Sequence, residues 1–404
     1  MSDLLFLAHR IPYPPNKGDK IRSWNFLRHL AEQHRVHLGC FIDDPADHEH
    51  EATLRRICGE CCFVDLRPRE SRILSTRGLL TGAPLTLPYY GSRRLRAWTR
   101  GIVRRFRPQQ LFFFSSAMAQ FDCATSYPAR RVIDFVDVDS QKWTEYATRQ
   151  PWPLSWVYAR EGRTLLDFER RLARQMDASI FVSPAETQLF ASLAPESKGK
   201  LHAVNNGVDT DYFSPERPYA NPFPAGTRPL VFTGAMDYWP NIDAVDFFAR
   251  SVLPDVRAAC PDAGFWIVGS NPAKAVLDLE ALPGVTVTGR VPDVRPYLAH
   301  AALVVAPLRI ARGIQNKVLE AMAMAKTVVA TPQAAEGIEG QPGRDYLVAA
   351  TADALSALIR QALRPDSSNL GEQARSYVLA TYHWQKSLYK LDVILDGAAR
   401  QERP

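Results

Sequence analysis

The chain has 404 residues, enough for two domains with separate cores. It is 46% hydrophobic and 23% charged, the balance of an ordinary folded protein and not of a disordered or fibrous one. No uninterrupted apolar run reaches the eighteen residues of a spanning helix, which speaks against an integral membrane protein.

The net charge of +6 is unevenly spread. Residues 1–200 hold 30 Lys and Arg against 22 Asp and Glu, whereas residues 201–404 hold 19 against 21. From Arg67 to Arg107 there are 11 basic residues and one acid, Glu70, which predicts an anionic partner for this segment. The opening MSDLLFLAHRIPYPP has an acid near its start and a short apolar stretch. It reads as a first strand and not as a signal peptide, so a cytosolic protein is expected. Cys58, Cys61 and Cys62 form CGECC, half of a metal-binding pattern, but no second Cys or His pair completes it. Reduced thiols are expected there, and no metal.

Leu4 to Ala8 is a continuous apolar run, as in a parallel strand buried on both faces. Three prolines then forbid a helix through HRIPYPPNKGDK, and Gly18 precedes a helical pattern at Ile21, Trp24, Phe26, Leu27 and Leu30. A glycine loop at the carboxyl end of a first strand is where open α/β sheets bind ligands. No GxGxxG is present, which weighs against a dinucleotide fold. Val36 to Ile42, Leu111 to Phe114, Arg131 to Val136 and Ala178 to Val182 read as further strands, and Tyr158 to Met176 as a helix. In Ser92 to Arg107 the stripe Leu95, Trp98, Ile102, Phe106 has helical spacing and is ringed by Arg93, Arg94, Arg96, Arg104 and Arg105. Such a helix either lies apolar face down on an anionic membrane or packs on its own domain. No nucleic-acid-binding module is present, and no nucleic-acid partner is expected. At DFVDVDSQKW, Asp137 and Asp139 sit at a strand end, where one could act as a general base or bind a sugar hydroxyl; Asp139 could equally cap the next helix.

The Pro- and Gly-rich stretch after Asn206-Gly207 is the best domain boundary. Beyond it the β/α alternation restarts, with strands from Leu230, Phe265, Val285, Leu303 and Thr327. The stretch RGIQNKVLEAMAMAK, Arg312 to Lys326, follows the strand at Leu303. A glycine turn opens into an amphipathic helix that carries Lys317 and Glu320 in its first turns. Backbone N–H groups at such a helix start, with a lysine beside them, hold an anion, most often a phosphate. Glu320 stands one turn deeper, within reach of hydroxyls beside that phosphate. A buried crossover helix with solvated charges is the plainer alternative.

The second half resembles glycosyltransferase family 4, retaining enzymes of GT-B fold. The landmarks are NNGVD at Asn205–Asp209, FTGAMDYWPN at Phe232–Asn241, GRVPDVRPYLAHA at Gly289–Ala301 and LEAMAMAKTVVAT at Leu319–Thr331. HRIPYPPNKGDKIRSW and DFVDVDSQKW are similar to sugar transferases of PEP-CTERM/exosortase gene systems, which serve exopolysaccharide assembly.

The resemblance implies two Rossmann-like doubly wound domains facing a cleft. These would be residues 1–207 for the acceptor, 208–372 for the nucleotide sugar, and a helical tail, 373–404, crossing back to the first domain. Glu320 would bind the donor ribose, and Lys317 with the backbone around Gly313 the diphosphate. Arg290 and Val291 would frame the base. Gly18, Gly234, Asn241, Arg312, Ile314 and Asn316 complete the expected donor set. Lys317, Glu320 and Asp137 are the expected catalytic residues, and Arg93, Arg94, Arg96, Trp98, Arg104 and Arg105 the acceptor or membrane face. No metal or cofactor is implied. The partners would be a nucleotide sugar and a glycan or polyprenyl-linked acceptor, with the inner membrane face as a possible location.

The chain departs from the family pattern at Arg312, which stands where a first glutamate, eight positions before Glu320, is frequent. A subgroup with an NKLFEYMA-like sequence lacks it too. A nucleotide-sugar-binding protein without turnover and a sugar-nucleotide epimerase are the alternatives.

Overall fold

Short apolar runs set the framework. In the computed structural model they form, among the described residues, thirteen strands: β1 (Asp3–Ala8), β2 (Arg35–Ile42), β3 (Cys61–Asp65), β4 (Gln110–Phe114), β5 (Arg130–Val136), β6 (Ala178–Phe181), β7 (Leu201–Ala203), β8 (Arg228–Thr233), β9 (Ala263–Val268), β10 (Val285–Gly289), β11 (Leu303–Ala306), β12 (Val328–Ala330) and β13 (Leu347–Val348). The structure describes every residue except 16, 17, 124–126, 149, 312, 365, 366, 368, 369 and 398–404.

All strand pairs are parallel. They make two sheets, in the orders β3-β2-β1-β4-β5-β6-β7 and β10-β9-β8-β11-β12-β13. Each sheet belongs to its own unit: residues 1–205 with the chain from Leu388 onward, and Asn206–Ser387. Helices cover both faces, so the strands read as unbroken hydrophobic runs. Strand order reverses between β1 and β4 in the first sheet and between β8 and β11 in the second. At such a reversal the loops leave in opposite directions and open a crevice at the carboxyl edge.

In the first unit, β1 and β4 join through stacked Phe6 and Phe112, with ring centroids 5.0 Å apart. Beneath them lies a fully buried ion pair. Arg22, on helix Gly18–Gln33, donates from Nε to Asp134 Oδ2 at 2.7 Å, from Nη2 to Oδ1 at 3.2 Å and from Nη1 to the Val204 carbonyl at 2.7 Å. Burial pushes the Asp134 carboxyl above its ordinary range, against the pull of Arg22. The same carboxylate accepts from the Val136 amide at 3.0 Å, where the register of β5 slips and Val136 takes φ +67°. An irregularity of this kind re-aims the residues that follow, here Asp137. Asp392 on the terminal helix Trp384–Asp396 meets His29 Nε2 at 2.8 Å.

In the second unit, helix Trp239–Phe247 runs into a wider π-helical turn, Phe248–Val252, before Leu253–Ala259 resumes as α-helix. Pro254 explains the widening, because it has no N–H for the regular bond to residue 250. Gly207 has a negative φ and is required for another reason than turning. A Cβ there would stand 2.6 Å from Trp384 Cγ, so the glycine lets helix Trp384–Asp396 approach.

The helix predicted over Ser92 to Arg107 spans Arg93–Phe106 and is capped by Ser92, which accepts from the Leu95 amide at 3.2 Å. Its apolar stripe does not face outward. Leu95, Ile102 and Val103 are buried in the first core, and Trp98 and Phe106 pack against it. The apolar-face-down membrane reading of this helix is therefore corrected: the face is already used. Arg93, Arg94, Arg104 and Arg105 remain exposed, while Arg96 donates to the Gln120 carbonyl at 3.0 Å. Strand β3 takes up Cys61 and Cys62, and all six cysteines are free thiols. Among the described residues, no group of three or more His, Cys, Asp or Glu is placed to hold a metal ion, and no helix is long and apolar enough to cross a membrane.

Candidate functional site

The carboxyl edge of the second sheet gathers most of the expected donor residues. Helix Asn316–Ala323 starts there, after the strand β11 and a loop in which Gly313 takes φ +63°. Gln315, its N-cap, is extended and offers no side-chain cap to the first turn. Lys317 stands in that turn. Its ammonium donates to Asn241 Oδ1 at 2.6 Å and lies 4.3 Å from the centre of the Phe232 ring. The Asn241 amide in turn donates from Nδ2 to the Ala235 carbonyl at 2.8 Å, which fixes its oxygen toward the lysine. Lys317 and Asn241 thus join the starts of the helices that follow β11 and β8, Asn316–Ala323 and Trp239–Phe247, across the point where strand order reverses.

Gly234 forms the floor. A Cβ there would meet Asn241 Nδ2 at 2.8 Å and Lys317 Nζ at 3.1 Å. The ammonium and the amide occupy the space a side chain would take. Behind it, Gly269 after β9 approaches so closely that a Cβ would fall 1.6 Å from the Gly234 carbonyl oxygen. The two loops are laced by the Met236 amide to the Ser270 carbonyl at 2.8 Å and the Ala273 amide to the Met236 carbonyl at 3.1 Å. Gly269 was not singled out in the sequence. The signal was available: Gly234, Gly269 and Gly289 each stand at the carboxyl end of a neighbouring strand.

Burial lowers the Lys317 ammonium to about 7, with Glu320 opposing that fall. Burial likewise raises the Glu320 carboxyl to about 7, opposed by Lys317. The two titrate as one coupled pair. An anion brought to this place would favour the charged lysine.

Other expected donor residues fall around this group. Asn316 Oδ1 accepts from Asn206 Nδ2 at 3.4 Å, so NNGVD supports the helix start as well as a turn. Ile314 is buried against Gly337, whose φ is +80°. Val291 packs on the core and Arg290 is exposed, just past Gly289 with φ +66°. Arg309, in the same loop as Gly313, is bonded to Asp243 at 3.0 Å. Tyr212 was not expected. Its ring carries the Arg295 guanidinium at 3.8 Å, and Asp293 holds that guanidinium through Nη2 at 2.7 Å. Arg312 lies outside the described residues.

In the first unit, Gly18 opens helix Gly18–Gln33. Nearby, His9 bridges the reversal of the first sheet, its ring stacked on Phe114 at 5.8 Å and its Nε2 3.3 Å from Asp19. Burial alone would raise the Asp19 carboxyl, but His9 and Arg10 hold it well below the usual range. Asp137 is paired with Lys142 at 2.7 Å, and Asp139 with the same lysine at 3.2 Å. Burial would lower the Lys142 ammonium, and the two carboxylates more than offset it, so the lysine stays charged.

Residues 227–364 match the family model described as Glycosyl transferases group 1. The second unit carries a glycosyl transferases group 1 domain. No curated protein matched the chain. Among solved structures, sucrose-phosphate synthase from Thermosynechococcus elongatus is 18% identical with a TM-score of 0.71, over 98% of this chain and 99% of that one. Anabaena HepE in complex with UDP and glucose is 14% identical, TM-score 0.66, over 98% and 100%. WaaG, a glycosyltransferase involved in lipopolysaccharide biosynthesis, is 17% identical, TM-score 0.66, over 98% and 100%. These likenesses show the fold: two Rossmann-like parallel-sheet domains, the GT-B architecture.

Proposed function

We propose that the protein is a retaining glycosyltransferase that moves a sugar from a nucleotide sugar to a glycan or polyprenyl-linked acceptor in exopolysaccharide assembly, with the acceptor held mainly by the first unit. The observation that carries this reading is the Lys317–Asn241 bridge over Gly234, with Glu320 one helical turn on. Transfer from a nucleoside diphosphate builds negative charge on the leaving phosphate. Lys317 and the uncapped start of helix Asn316–Ala323 would stabilise that charge without a metal. Glu320 would take the ribose hydroxyls and fix the donor against them. The leaving phosphate would accept the acceptor's proton on the same face, which retains the anomeric configuration. HepE has been captured with UDP-glucose, so UDP-sugars are the first donors to test. HRIPYPPNKGDKIRSW and DFVDVDSQKW support the exosortase-associated subgroup.

The test is transfer from a panel of labelled nucleotide sugars to a polyprenyl-linked acceptor extract, in wild type and Glu320→Ala. The reading expects transfer from one donor and its loss in the variant. Isomerisation of the donor with no acceptor present, or binding with no turnover on any acceptor, would overturn it.

A further inference from the structure

Two stretches of the first unit expose apolar side chains that the fold does not use. Among the described residues fourteen large apolar side chains are exposed, and six of them fall within residues 73–79 and 152–156. That is too concentrated to be ordinary surface scatter. They are Ile73, Leu74, Leu79, Trp152, Leu154 and Trp156, with Trp152 81% and Ile73 72% exposed.

The two stretches are tied together. On helix Leu154–Gln175, Arg160 donates to the Gly78 carbonyl at 2.7 Å and to the Ala83 carbonyl at 3.3 Å. Glu161 accepts from the Leu85 amide at 2.6 Å and from the Thr86 amide at 3.0 Å. Arg160 and Glu161 are buried and consumed by this fastening. Trp156 stands one turn before Arg160 on the same helix face, which sets it beside the fastened segment. Helix Pro68–Ser75 is inverted for a water-facing helix: it buries Ser71 and leaves Ile73 and Leu74 outside. Arg69 and Arg72 are exposed on helix Pro68–Ser75, Arg67 just before it is exposed and paired with Glu70 at 3.0 Å, and Arg163 is exposed on helix Leu154–Gln175; Glu70 is the one acid in residues 67–81.

We propose that these two stretches form a surface that docks on an anionic lipid bilayer, with Trp152 and Trp156 at headgroup depth. The charge decides between occupants. Exposed arginines on the same helices as exposed tryptophan and aliphatic side chains complement anionic headgroups over an acyl boundary. A second copy would set the same arginines against each other. The proposal deepens the proposed function and rests on it for the lipid-linked acceptor. It also replaces helix Arg93–Phe106 as the inserting element, since that helix has no apolar face to offer.

The test is flotation with vesicles of phosphatidylcholine alone and with phosphatidylglycerol added, for wild type, Trp152→Ser/Trp156→Ser and Arg69→Glu/Arg72→Glu. Wild type should float with the anionic vesicles only, and higher salt should weaken the binding. Both variants should bind about tenfold less or worse, with thermal midpoint and nucleoside diphosphate affinity unchanged. A third variant, Ile73→Ser, should weaken binding without touching either tryptophan. Variants that float like wild type overturn the proposal. So does wild type that ignores anionic vesicles, or that forms a dimer which Ile73→Ser breaks. Vesicle binding without any sugar transfer sinks the proposed function and leaves this surface standing; transfer without vesicle binding does the reverse.

Discussion

Lys317 Nζ lies 2.6 Å from Asn241 Oδ1, although 76 positions separate the two residues. The bond spans the reversal point of the second sheet and holds a half-buried ammonium at the start of a helix. Asn241→Leu keeps the volume and removes both amide bonds. It should weaken nucleoside diphosphate binding about tenfold, the worth of a hydrogen bond to a charged group. Stability should fall by only about 1 kcal/mol. Titration calorimetry and a urea melt check the two halves; unchanged affinity would show that the bridge does not position the lysine.

The two neighbouring glycines should fail differently. In Gly234→Ala the new methyl meets the ends of two side chains, which can swing aside, so the protein should fold with a displaced Lys317 and little affinity for a diphosphate. In Gly269→Ala it meets a backbone carbonyl at 1.6 Å, so the protein should lose stability. Circular dichroism melts of the two variants separate the cases. Equal melting would contradict the geometry.

Binding should depend on pH through Lys317. It titrates together with Glu320, burial having moved both groups to about 7 in the free protein. A bound diphosphate raises that value, so binding takes up a proton once pH exceeds 7. Affinity should be flat below that pH and fall by up to about tenfold per unit above it. Lys317→Met should flatten the profile. A wild-type affinity constant from pH 6 to 9 would contradict it.

Glu169 offers a stability test away from the site. Its buried carboxyl is pushed up to about 8 by burial, with Ser140 Oγ donating to it at 2.5 Å. The folded state therefore holds a proton that the unfolded chain releases near pH 4. Stability from this group is full below that value and is lost as pH rises through 8. Glu169→Gln keeps an acceptor for Ser140 and removes the titration. Its advantage over wild type in urea melts should be near zero at pH 4 and grow toward pH 8, by up to about 1.4 kcal/mol per unit. A difference that does not change with pH would refute the assignment.

The Arg22–Asp134 pair is the other buried charge that the fold depends on. Arg22→Met leaves the Asp134 charge with no cation, held only by the Val136 amide, and takes the guanidinium from the Val204 carbonyl; it should cost about 3–5 kcal/mol. Arg22→Met/Asp134→Leu should recover much of it. A double variant no more stable than the single one would place the loss in packing and not in charge.

The sequence disclosed the strands that are buried on both faces, because Leu4 to Ala8 and Leu303 to Ala306 allow no other reading as short apolar runs. It did not disclose β3, whose CCFVD looked like a thiol cluster, or β13, which is two residues long. The place of Lys317 and Glu320 in the first turns of a helix was legible, because that placement is local in the sequence. Their partners were not. The Asn241 bond, the Gly269 approach and the Asn206–Asn316 contact join positions far apart in the chain, and only the sheet brings them together. The arginine helix misled for the same reason: periodicity reports that Leu95 and Ile102 share a face, but not that the face is already covered.

In the proposed function Lys317 is the charge that holds the donor's diphosphate. Calorimetric titration of UDP and other nucleoside diphosphates into wild type and Lys317→Met at pH 6.5 tests it most directly. At least one diphosphate should bind, weakened about tenfold to a hundredfold by the substitution, with an unchanged melting midpoint. Equal affinity in the two proteins would contradict it.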